Sequence, residues 1–250
     1  MSQYLVFQLH GPMASWGADA PGEVRHTHDL PTRSALLGLL AAALGIRRDD
    51  DARLAQFHQH YEFILRASKH PRWARDYHTI QTPKEVRKVR YYTRRDELRE
   101  VELRETLISK RDYYSDAWWM VAVAATSGAP YSLASLHHAL TQPFFTPYLG
   151  RKSHPLALPL MPIILEGKAS DVLRQAQAQY VQMFRELKVS FTGPNTLQED
   201  CWWEGEHEGL LPTKILRRRD QPGDRRRWLF HERDIFQGTL DKEAPCTCQK

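Results

Sequence analysis

Hydrophobic and polar positions alternate near the start of the chain and predict a β-strand. In the segment YLVFQLH, Leu5, Phe7 and Leu9 fall on one side of an extended chain, and the residues between them fall on the other. Two further apolar runs, EFILRAS (62–68) and AWWMVAVAAT (117–126), have the length and residue types of strands. The second run is almost continuously apolar, so we expect it at the centre of a sheet.

A helical pattern begins at Arg33. Leucines recur on one face at helical spacing as far as about Leu44, and Gly45 follows at a position where helices commonly end. The same spacing predicts further helices within 48–61, from a Ser132 cap to about Leu140, and over 171–187. Helices and strands are therefore interspersed along the chain.

A charged segment lies between the second and third predicted strands. The stretches VRKVRYYTRR (86–95) and LREVELRETLIS (98–109) alternate in part and flank the dipeptide DE. This pattern predicts two long strands joined by a turn, which would form a hairpin arm.

The order of these elements predicts an α+β fold. Strand, loop, helix, strand, arm, strand and helix follow one another, close to the split βαβ sandwich that also underlies RNA-recognition modules. We expect residues 1–145 to form this first domain and residues 146–235 to form a smaller β-rich part, with strands at 188–193 and 226–232. Residues 236–250 are expected to form a flexible tail.

Composition limits the class of protein. Apolar residues make up 42% of the 250 residues, which is enough for a core, and no apolar run is long enough to span a membrane. The N-terminus lacks the features of a secretory signal peptide, so we expect a cytoplasmic protein. Three cysteines, Cys201, Cys246 and Cys248, do not predict a disulfide framework. We expect no cofactor and no metal site.

Basic residues are concentrated in two places. Between Lys84 and Arg111 there are ten Lys or Arg and six Asp or Glu, and residues 217–227 contain six Arg and two Asp. The whole chain carries a formal net charge of +5. Local excesses of this kind favour a polyanionic partner, although a salt-bridged, solvated surface is the commoner meaning of such clusters.

Two short motifs favour phosphate binding. PTRS places two hydroxyls and the Arg33 guanidinium at a helix N-terminus, where free N–H groups attract anions. TPYLGRKSHPL places Tyr148 before Arg151 and Lys152 in a proline-stiffened loop, and the charged arm adds Tyr91 between basic residues. Because an aromatic ring can stack on a base while cations contact phosphates, these patterns favour single-stranded RNA.

No common catalytic motif is present. The sequence contains no Walker loop, no GxGxxG, no HExxH and no GxSxG. His10, His26 and His28 lie near the first strand–helix connection, where such residues could cleave RNA without a metal by general acid–base catalysis. Hydrogen bonding or stacking on RNA is the simpler role, because the segment around two of them has no periodicity to hold it rigid.

Five stretches carry a resemblance to a known family: FQLHGPMASWG, PTRSALLGLLAAALGI, RDYHT, ETLISKRDYYSDAWWMVAVA and TPYLGRKSHPL. Over roughly residues 3–160, the sequence resembles the guide RNA 5′-handle-binding subunits of the CRISPR Cascade surveillance complex, subtype I-E. These subunits belong to the RAMP superfamily. After residue 165 the resemblance is slight.

The resemblance implies a ferredoxin-like N-terminal domain with a protruding hairpin thumb at about 79–112, followed by a smaller β-rich part. It implies a non-catalytic subunit that caps the 5′ handle of the guide RNA and contacts the backbone subunit and the large subunit of Cascade in antiviral defence. Target DNA would be met only indirectly, through the complex, because base pairing by the guide selects the target.

Two alternatives stay open. In another subtype a related subunit is itself the metal-free endoribonuclease that processes repeat RNA, and that is the first alternative. A free-standing RNA-binding protein outside any complex is the second.

Residues and resemblance together define a set of candidate RNA-binding residues. Within it we expect Arg33 and Ser34 to contact the handle, so that changing both to Ala weakens guide retention and leaves the fold intact. The candidates are Trp16, Arg25, His26, Thr32, Arg33, Ser34, Arg87, Lys88, Arg90, Tyr91, Tyr148, Gly150, Arg151, Lys152 and Ser153.

Overall fold

The computed structural model describes residues 2–18, 20, 22–69, 71–84, 89–99, 104–188, 193–224, 227 and 229–240. The strands are β1 (Gln3–His10), β2 (Met13–Ala14), β3 (Trp16–Gly17), β4 (Val24–Arg25), β5 (Thr27–His28), β6 (Tyr61–Ala67), β7 (Arg72–Pro83), β8 (Arg104–Ser115), β9 (Trp118–Ala125), β10 (Ile163–Glu166), β11 (Asp200–Trp203), β12 (Lys214–Pro222) and β13 (Phe230–Thr239). The helices are α1 (Arg33–Ala43), α2 (Asp51–Phe57), α3 (Arg94–Glu97), α4 (Leu133–Thr141) and α5 (Ala169–Glu186), and a 3-10 turn spans Gly193–Thr196.

One antiparallel sheet organises the chain. Its seven strands run in the order β10-β1-β9-β6-β11-β13-β12, and every neighbouring pair is antiparallel. Because β9 lies between β1 and β6, the expectation of a central strand at 117–126 is confirmed. A smaller sheet is built on β8 and includes β2, β4 and β7. The predicted combination of helices with antiparallel sheets is confirmed.

Helices cover both faces of the large sheet. Leu5, Phe7 and Leu9 of β1 point into a core that also contains the leucines of α1 and α4. The alternate residues Tyr4 and Val6 point into a second core, against α5. Burying a side chain such as leucine contributes about 1.5–3 kcal/mol, so both sides of this strand stabilise the fold.

Helix α1 begins where the sequence predicts, but the anion at its N-terminus is internal. Thr32 is the N-cap, and its Oγ1 accepts a hydrogen bond from the Ala35 N–H at 3.3 Å. The backbone N–H of Arg33 donates to Oδ2 of Asp220 at 2.8 Å. A carboxylate from β12 therefore occupies the anion-attracting end of this helix.

The Arg33 side chain belongs to a buried cluster of four charges. Its Nη1 forms an ion pair with Glu204, and its Nη2 donates to the carbonyl oxygen of His58 at 2.8 Å. Arg233 contacts both Glu204, at 3.2 Å, and Asp220. Burial raises the pKa of the Glu204 carboxyl to about 7, against the opposing attraction of the two arginines. Two cations and two carboxylates balance each other here and join α1 to the C-terminal strands.

Strands β7 and β8 form a long two-stranded arm. They pair along their whole length, from Arg72↔Ser115 to Pro83↔Arg104. Both faces of this ribbon carry exposed side chains, including aromatic and aliphatic ones. The arm therefore gains little from a buried core and depends on its ladder of backbone hydrogen bonds and on contacts at its root.

The sequence pattern misplaces the strands of the arm. It predicts them at 86–95 and 98–109, and the thumb expected from the family resemblance spans about 79–112, whereas β7 begins at Arg72 and β8 ends at Ser115. Residues 89–93, directly before α3, form no strand, and residues 85–88 and 100–103 lie outside the described residues. Helix α3 begins there because Thr93 accepts a capping hydrogen bond from the Asp96 N–H. Apolar residues do not alternate clearly in a ribbon that is exposed on both faces, which explains the error.

The C-terminal strands extend the large sheet instead of forming one of their own. β11 pairs with β6, and β13 pairs with β11 and β12. The strand predicted at 226–232 begins at Phe230 and continues to Thr239, so the start of the expected tail, 236–250, is part of the sheet. Residues 241–250 lie outside the described residues, and so do Cys246 and Cys248.

Other expectations for the second half are met only in part. Of the strand predicted at 188–193, residues 189–192 lie outside the described residues, and Gly193 is the first residue of the 3-10 turn. The division of the chain near residue 146 stays a prediction, and this position falls between α4 and β10. In the part of the chain that is described, no helix is both long and apolar enough to cross a membrane.

Replacing Arg33 by Met is expected to lower the free energy of unfolding by about 3–5 kcal/mol, the usual cost of removing one partner of a buried ion pair. Met keeps the aliphatic volume but leaves Glu204 with one arginine instead of two. Urea unfolding of the full chain, followed by circular dichroism, measures the change. Ser34→Ala, a partly exposed neighbour on the same helical turn, is the control. Equal stability of the two variants would contradict a stabilising role for the cluster.

Candidate nucleic-acid interface

Four segments meet at the root of the arm. On the edge away from β7, β8 pairs with β2 and, in parallel, with β4, so that Arg25 lies beside Arg111. Ser15, which lies between β2 and β3, contacts both β8 and the loop that carries Leu149. Its Oγ donates to the carbonyl oxygen of Asp112 at 3.0 Å, and its N–H donates to that of Leu149 at 3.1 Å. The loop that carries Leu149 is thereby held against the arm.

The arm presents two different faces, because successive residues of a strand point in opposite directions. The register of β4 with β8 puts Arg25 and Arg111 on one face, which we call the arginine face. On β7, Trp73, Arg75 and Tyr77 share the opposite face, which we call the aromatic face. The two faces carry different chemistry at the same root.

Three arginines converge on the arginine face. Arg151 donates from Nη2 to the carbonyl oxygen of Arg25 at 3.4 Å. Burial lowers the pKa of Arg151, and the charges of Arg111 and Arg25 add to this effect while two nearby aspartates oppose it. Among the described residues, none of the three arginines forms an ion pair with a carboxylate. Like charges held together in this way form a site for an anion such as a phosphate.

The surroundings of this cluster suit a nucleic acid. The half-exposed carboxylate of Asp76 lies on the same face of the arm, where it accepts a hydrogen bond from the Tyr113 hydroxyl at 3.2 Å and offsets part of the positive charge. In the loop beside the cluster, Tyr148 is 40% exposed, and Lys152 and Ser153 are exposed as well. An aromatic ring, a further cation and a hydroxyl are therefore available around the three arginines.

Gly150 allows the loop to approach the body of the protein closely. Its φ is +82°, in the left-handed region that favours glycine, and a Cβ added there would lie 1.8 Å from the carbonyl oxygen of Ser15. Gly11 is crowded on the other side of the same loop, where an added Cβ would lie 2.5 Å from the carbonyl oxygen of Pro155. The role of Gly150 is thus to position Arg151.

The Asp112 carboxylate fixes the arm at its root. It accepts hydrogen bonds from Nε and Nη2 of Arg75 at 2.6 and 3.0 Å, and Nδ1 of His26 lies 3.0 Å from its Oδ2. These hydrogen bonds, led by that from Arg75, lower the pKa of Asp112 despite its burial. The carboxylate thus joins β7 to the segment after β4 across β8.

The structure brings one group of the predicted residues together at the root of the arm: Arg25, His26, Tyr148, Gly150, Arg151, Lys152 and Ser153. Arg90 and Tyr91 are exposed beyond the far end of β7. Arg87 and Lys88 lie outside the described residues.

Three other predicted residues are buried. Trp16 is 1% exposed and packs edge-on against Trp119, with ring centroids 5.2 Å apart. Thr32 and Arg33 are 2% and 6% exposed, as a helix cap and a member of the charge cluster. Ser34 is partly exposed, and its Oγ lies 3.2 Å from that of Thr32. The structure thus contradicts the expectation that Arg33 contacts RNA and can be changed to Ala without harm to the fold.

The sequence pattern does not single out Arg75, Arg111 and Asp112 as site residues. Arg111 is counted in the basic segment, but only the pairing of β8 with β4 places it beside Arg25. The sequence feature that points to two of these residues is the motif SKRDYY, which carries part of the family resemblance and contains both Arg111 and Asp112.

Comparison with known proteins identifies the family of the chain. A family model described as "CRISPR-associated protein (Cas_Cas5)" matches residues 4–235, which is most of the chain. The chain belongs to the Cas5 family of CRISPR-associated proteins. The resemblance of its motifs to CRISPR proteins is thereby confirmed.

Several proteins are similar to this Cas5-family chain. The "CRISPR system Cascade subunit CasD" of Escherichia coli (strain K12) is 36% identical over 168 residues, which cover 64% of this chain and 70% of that protein. A solved structure titled "CRISPR RNA-guided surveillance complex" aligns with a TM-score of 0.59 at 22% identity, over 95% of this chain and 90% of that one. Another, "Crystal structure of Cas protein", has a TM-score of 0.50 at 24% identity and 96% coverage of both chains. The two structures support the fold.

In this Cas5-family chain, Gly150→Ala is expected to lower the melting temperature by at least about 2–4 °C, because a left-handed conformation costs a non-glycine residue about 1–2 kcal/mol. The clash with Ser15 adds to that cost. Gly17→Ala is the matched control, since a Cβ at Gly17 meets nothing within 4 Å. Thermal unfolding by circular dichroism checks both, and equal melting temperatures would contradict the tight packing of this loop.

Proposed function

We propose that this Cas5-family chain is a non-catalytic RNA-binding subunit of a Cascade surveillance complex, and that it caps the 5′ handle of the guide RNA. The similarity to a Cascade subunit and to a chain of an RNA-guided surveillance complex supports this proposal. In antiviral defence, base pairing by the guide would select the target, while this chain holds the end of the guide through its backbone.

The arginine cluster is the observation that carries the proposal. Arg25, Arg111 and Arg151 come from three separate segments, and β-pairing and a close loop contact hold them together. Like charges repel, so their convergence without a bonded carboxylate in the described residues is favourable mainly when an anion binds between them. Tyr148 supplies an exposed ring for stacking beside them. Phosphates with nearby unpaired bases match both features.

The strand order supports the finer description of the fold. In chain order, β1, β6, β9 and β10 are the first to fourth strands of a unit, and they lie in the sheet in the order four, one, three, two. Helices precede the second strand and the fourth, which is the βαββαβ pattern of a ferredoxin-like domain. The arm leaves this domain between its second and third strands and would serve as the thumb, in contact with guide RNA and the adjacent backbone subunit. The large subunit would be the other neighbour.

A second candidate function is metal-free cleavage of repeat RNA. One observation favours it: His26 lies against Asp112 with half of its side chain exposed, as a general base oriented by a carboxylate would. His10, another of the three histidines proposed for this chemistry, is 8% exposed, and its Nδ1 lies 3.0 Å from the carbonyl oxygen of Ala117. Burial also lowers the pKa of His10. A buried neutral imidazole is a poor acid for a bound RNA, so we favour the non-catalytic role.

Arg111→Ala and Arg151→Ala are each expected to weaken binding of a single-stranded handle RNA about tenfold or more at moderate salt, because each removes a charge-assisted contact to a phosphate. Each change should also reduce the slope of log K against log salt by about 0.7, the value for one phosphate of a single strand. Fluorescence anisotropy over a salt series measures both quantities. Arg47→Ala is the control, because Arg47 is exposed and paired with Asp49. Identical slopes for all variants and the wild type would contradict the phosphate site.

The full chain is expected to leave repeat RNA intact when the two are incubated in EDTA, because His10, one of the histidines proposed for acid–base catalysis, is buried. Gel analysis of end-labelled RNA provides the measurement, with His26→Ala as the matched variant. A single cut at the base of the repeat hairpin, present with the wild type and absent with the variant, would establish the endoribonuclease instead. Co-purification of a guide RNA and other subunits separates the proposed function from a free-standing RNA-binding protein.

A further inference from the structure

The aromatic face of the arm is not used by the proposed phosphate site. Trp73 is 52% exposed and Tyr77 is 61% exposed, and both project from β7 on the side away from Arg25 and Arg111. Large exposed aromatic side chains on one sheet face are uncommon unless they meet a partner. This face therefore needs an explanation of its own.

Trp73 is supported from one side by a fixed cation. The guanidinium of Arg75 lies 5.1 Å from the centre of the Trp73 ring. Arg75 in turn makes two hydrogen bonds to Asp112, at 2.6 and 3.0 Å, and Asp112 is also held by His26. Because Arg75 covers one side of a ring that is still half exposed, the opposite side of the ring is the accessible one. The ring is thus presented in a fixed orientation.

The residues on this face alternate between aromatic rings and cations. Trp73, Arg75 and Tyr77 follow one another at alternate positions, about 7 Å apart along an extended strand. Lys110 lies directly opposite Tyr77 on β8 and is partly exposed. The carboxylate of Asp112, on the same face, is 2% exposed and already neutralised by its partners. The face therefore presents rings and positive charge to its surroundings.

We propose that the aromatic face binds an unpaired segment of RNA, with one nucleobase stacked on the free side of Trp73 and a neighbouring base on Tyr77. Lys110 forms an ion pair with a backbone phosphate of these two nucleotides. This inference rests on the proposed function and deepens it, because it assigns base stacking to one face of the arm and phosphate binding to the other. Base stacking on strand aromatics, with cations between them, is the general mode by which sheets bind single-stranded RNA.

The geometry of the arm allows one RNA strand to reach both faces. In the described part of the chain, β7 pairs with β8 alone, so the outer edge of β7 is open. A single strand can pass around that edge, from the arginine face to the aromatic face, at the root of the arm. The bonds of Asp112 to Arg75 and His26 keep this root in place, so Arg75 and His26 act as positioning residues.

The charge of this face favours RNA over a protein partner. Trp, Tyr and Arg are enriched at protein interfaces as well as at RNA-binding surfaces, but Lys is depleted at protein interfaces. Here Lys110 lies at the centre, directly opposite Tyr77, while the neighbouring aliphatic residue Ile108 is 37% exposed. The nearby Thr79 is polar and lies directly opposite Ile108. An anionic ligand with flat rings matches this surface best.

The test compares the affinity of the full chain for a fluorescein-labelled single-stranded handle RNA across a salt series. Trp73→Ala is expected to weaken binding by about 5- to 100-fold, the usual effect of removing one stacking ring. Its salt slope should equal that of the wild type, because no phosphate contact is lost. Trp73→Phe should restore most of the affinity. Leu107→Ala, which removes a 53% exposed side chain from the opposite face, is the matched control.

The outcomes separate this inference from the proposed function. Unchanged affinity of Trp73→Ala together with weakened binding of Arg111→Ala would overturn the stacking site and leave the proposed function standing. No RNA binding by the wild-type chain would overturn both. Unchanged RNA affinity of Trp73→Ala with loss of another subunit on purification would make this face a protein interface and overturn the inference. A lowered melting temperature of Trp73→Ala that Phe does not restore would also overturn it, because the ring would then be structural.

Discussion

The buried carboxylate of Asp112 determines how the arm meets the rest of the protein. It receives two hydrogen bonds from Arg75 on β7 and lies against His26 in the segment after β4. Since β8 carries Asp112 on one face and Arg111 on the other, these contacts stabilise the register that strand pairing sets on both faces. The support of the Trp73 ring by Arg75 depends on them directly.

A second group of buried charges joins the two halves of the chain. The N-terminus of α1 attracts an anion, and the chain supplies its own in Asp220 of β12. Arg33 then pairs with Glu204, and Arg233 completes the cluster. Because these partners come from the C-terminal strands, the cluster holds α1 against the extension of the large sheet. The Arg33 charge is therefore used inside the protein, whereas the arginines at the root of the arm remain available to a polyanion.

The sequence predicts elements well where one physical pattern dominates. The alternation in β1, the leucine spacing of α1 and the apolar run of β9 all reflect burial, and the structure has each of them. The arm was misplaced because both of its faces are exposed, so burial leaves no clear alternation. The sequence favours RNA as the partner of Arg33 because its true partner, Glu204, lies 171 residues away, and no local pattern reveals that pair. The arginine cluster depends likewise on strand pairing, which the basic composition of the arm only indicates.

The central claim is that RNA is held at the root of the arm and not at the N-terminus of α1. Photo-crosslinking of the full chain to a handle RNA that contains 4-thiouridine, followed by mass spectrometry of the peptides, tests it most directly. We predict crosslinks that map to Arg25 or His26 and to Tyr148, and none that map to Arg33 or Ser34. Crosslinks confined to the start of α1, with none at the root of the arm, would contradict the claim.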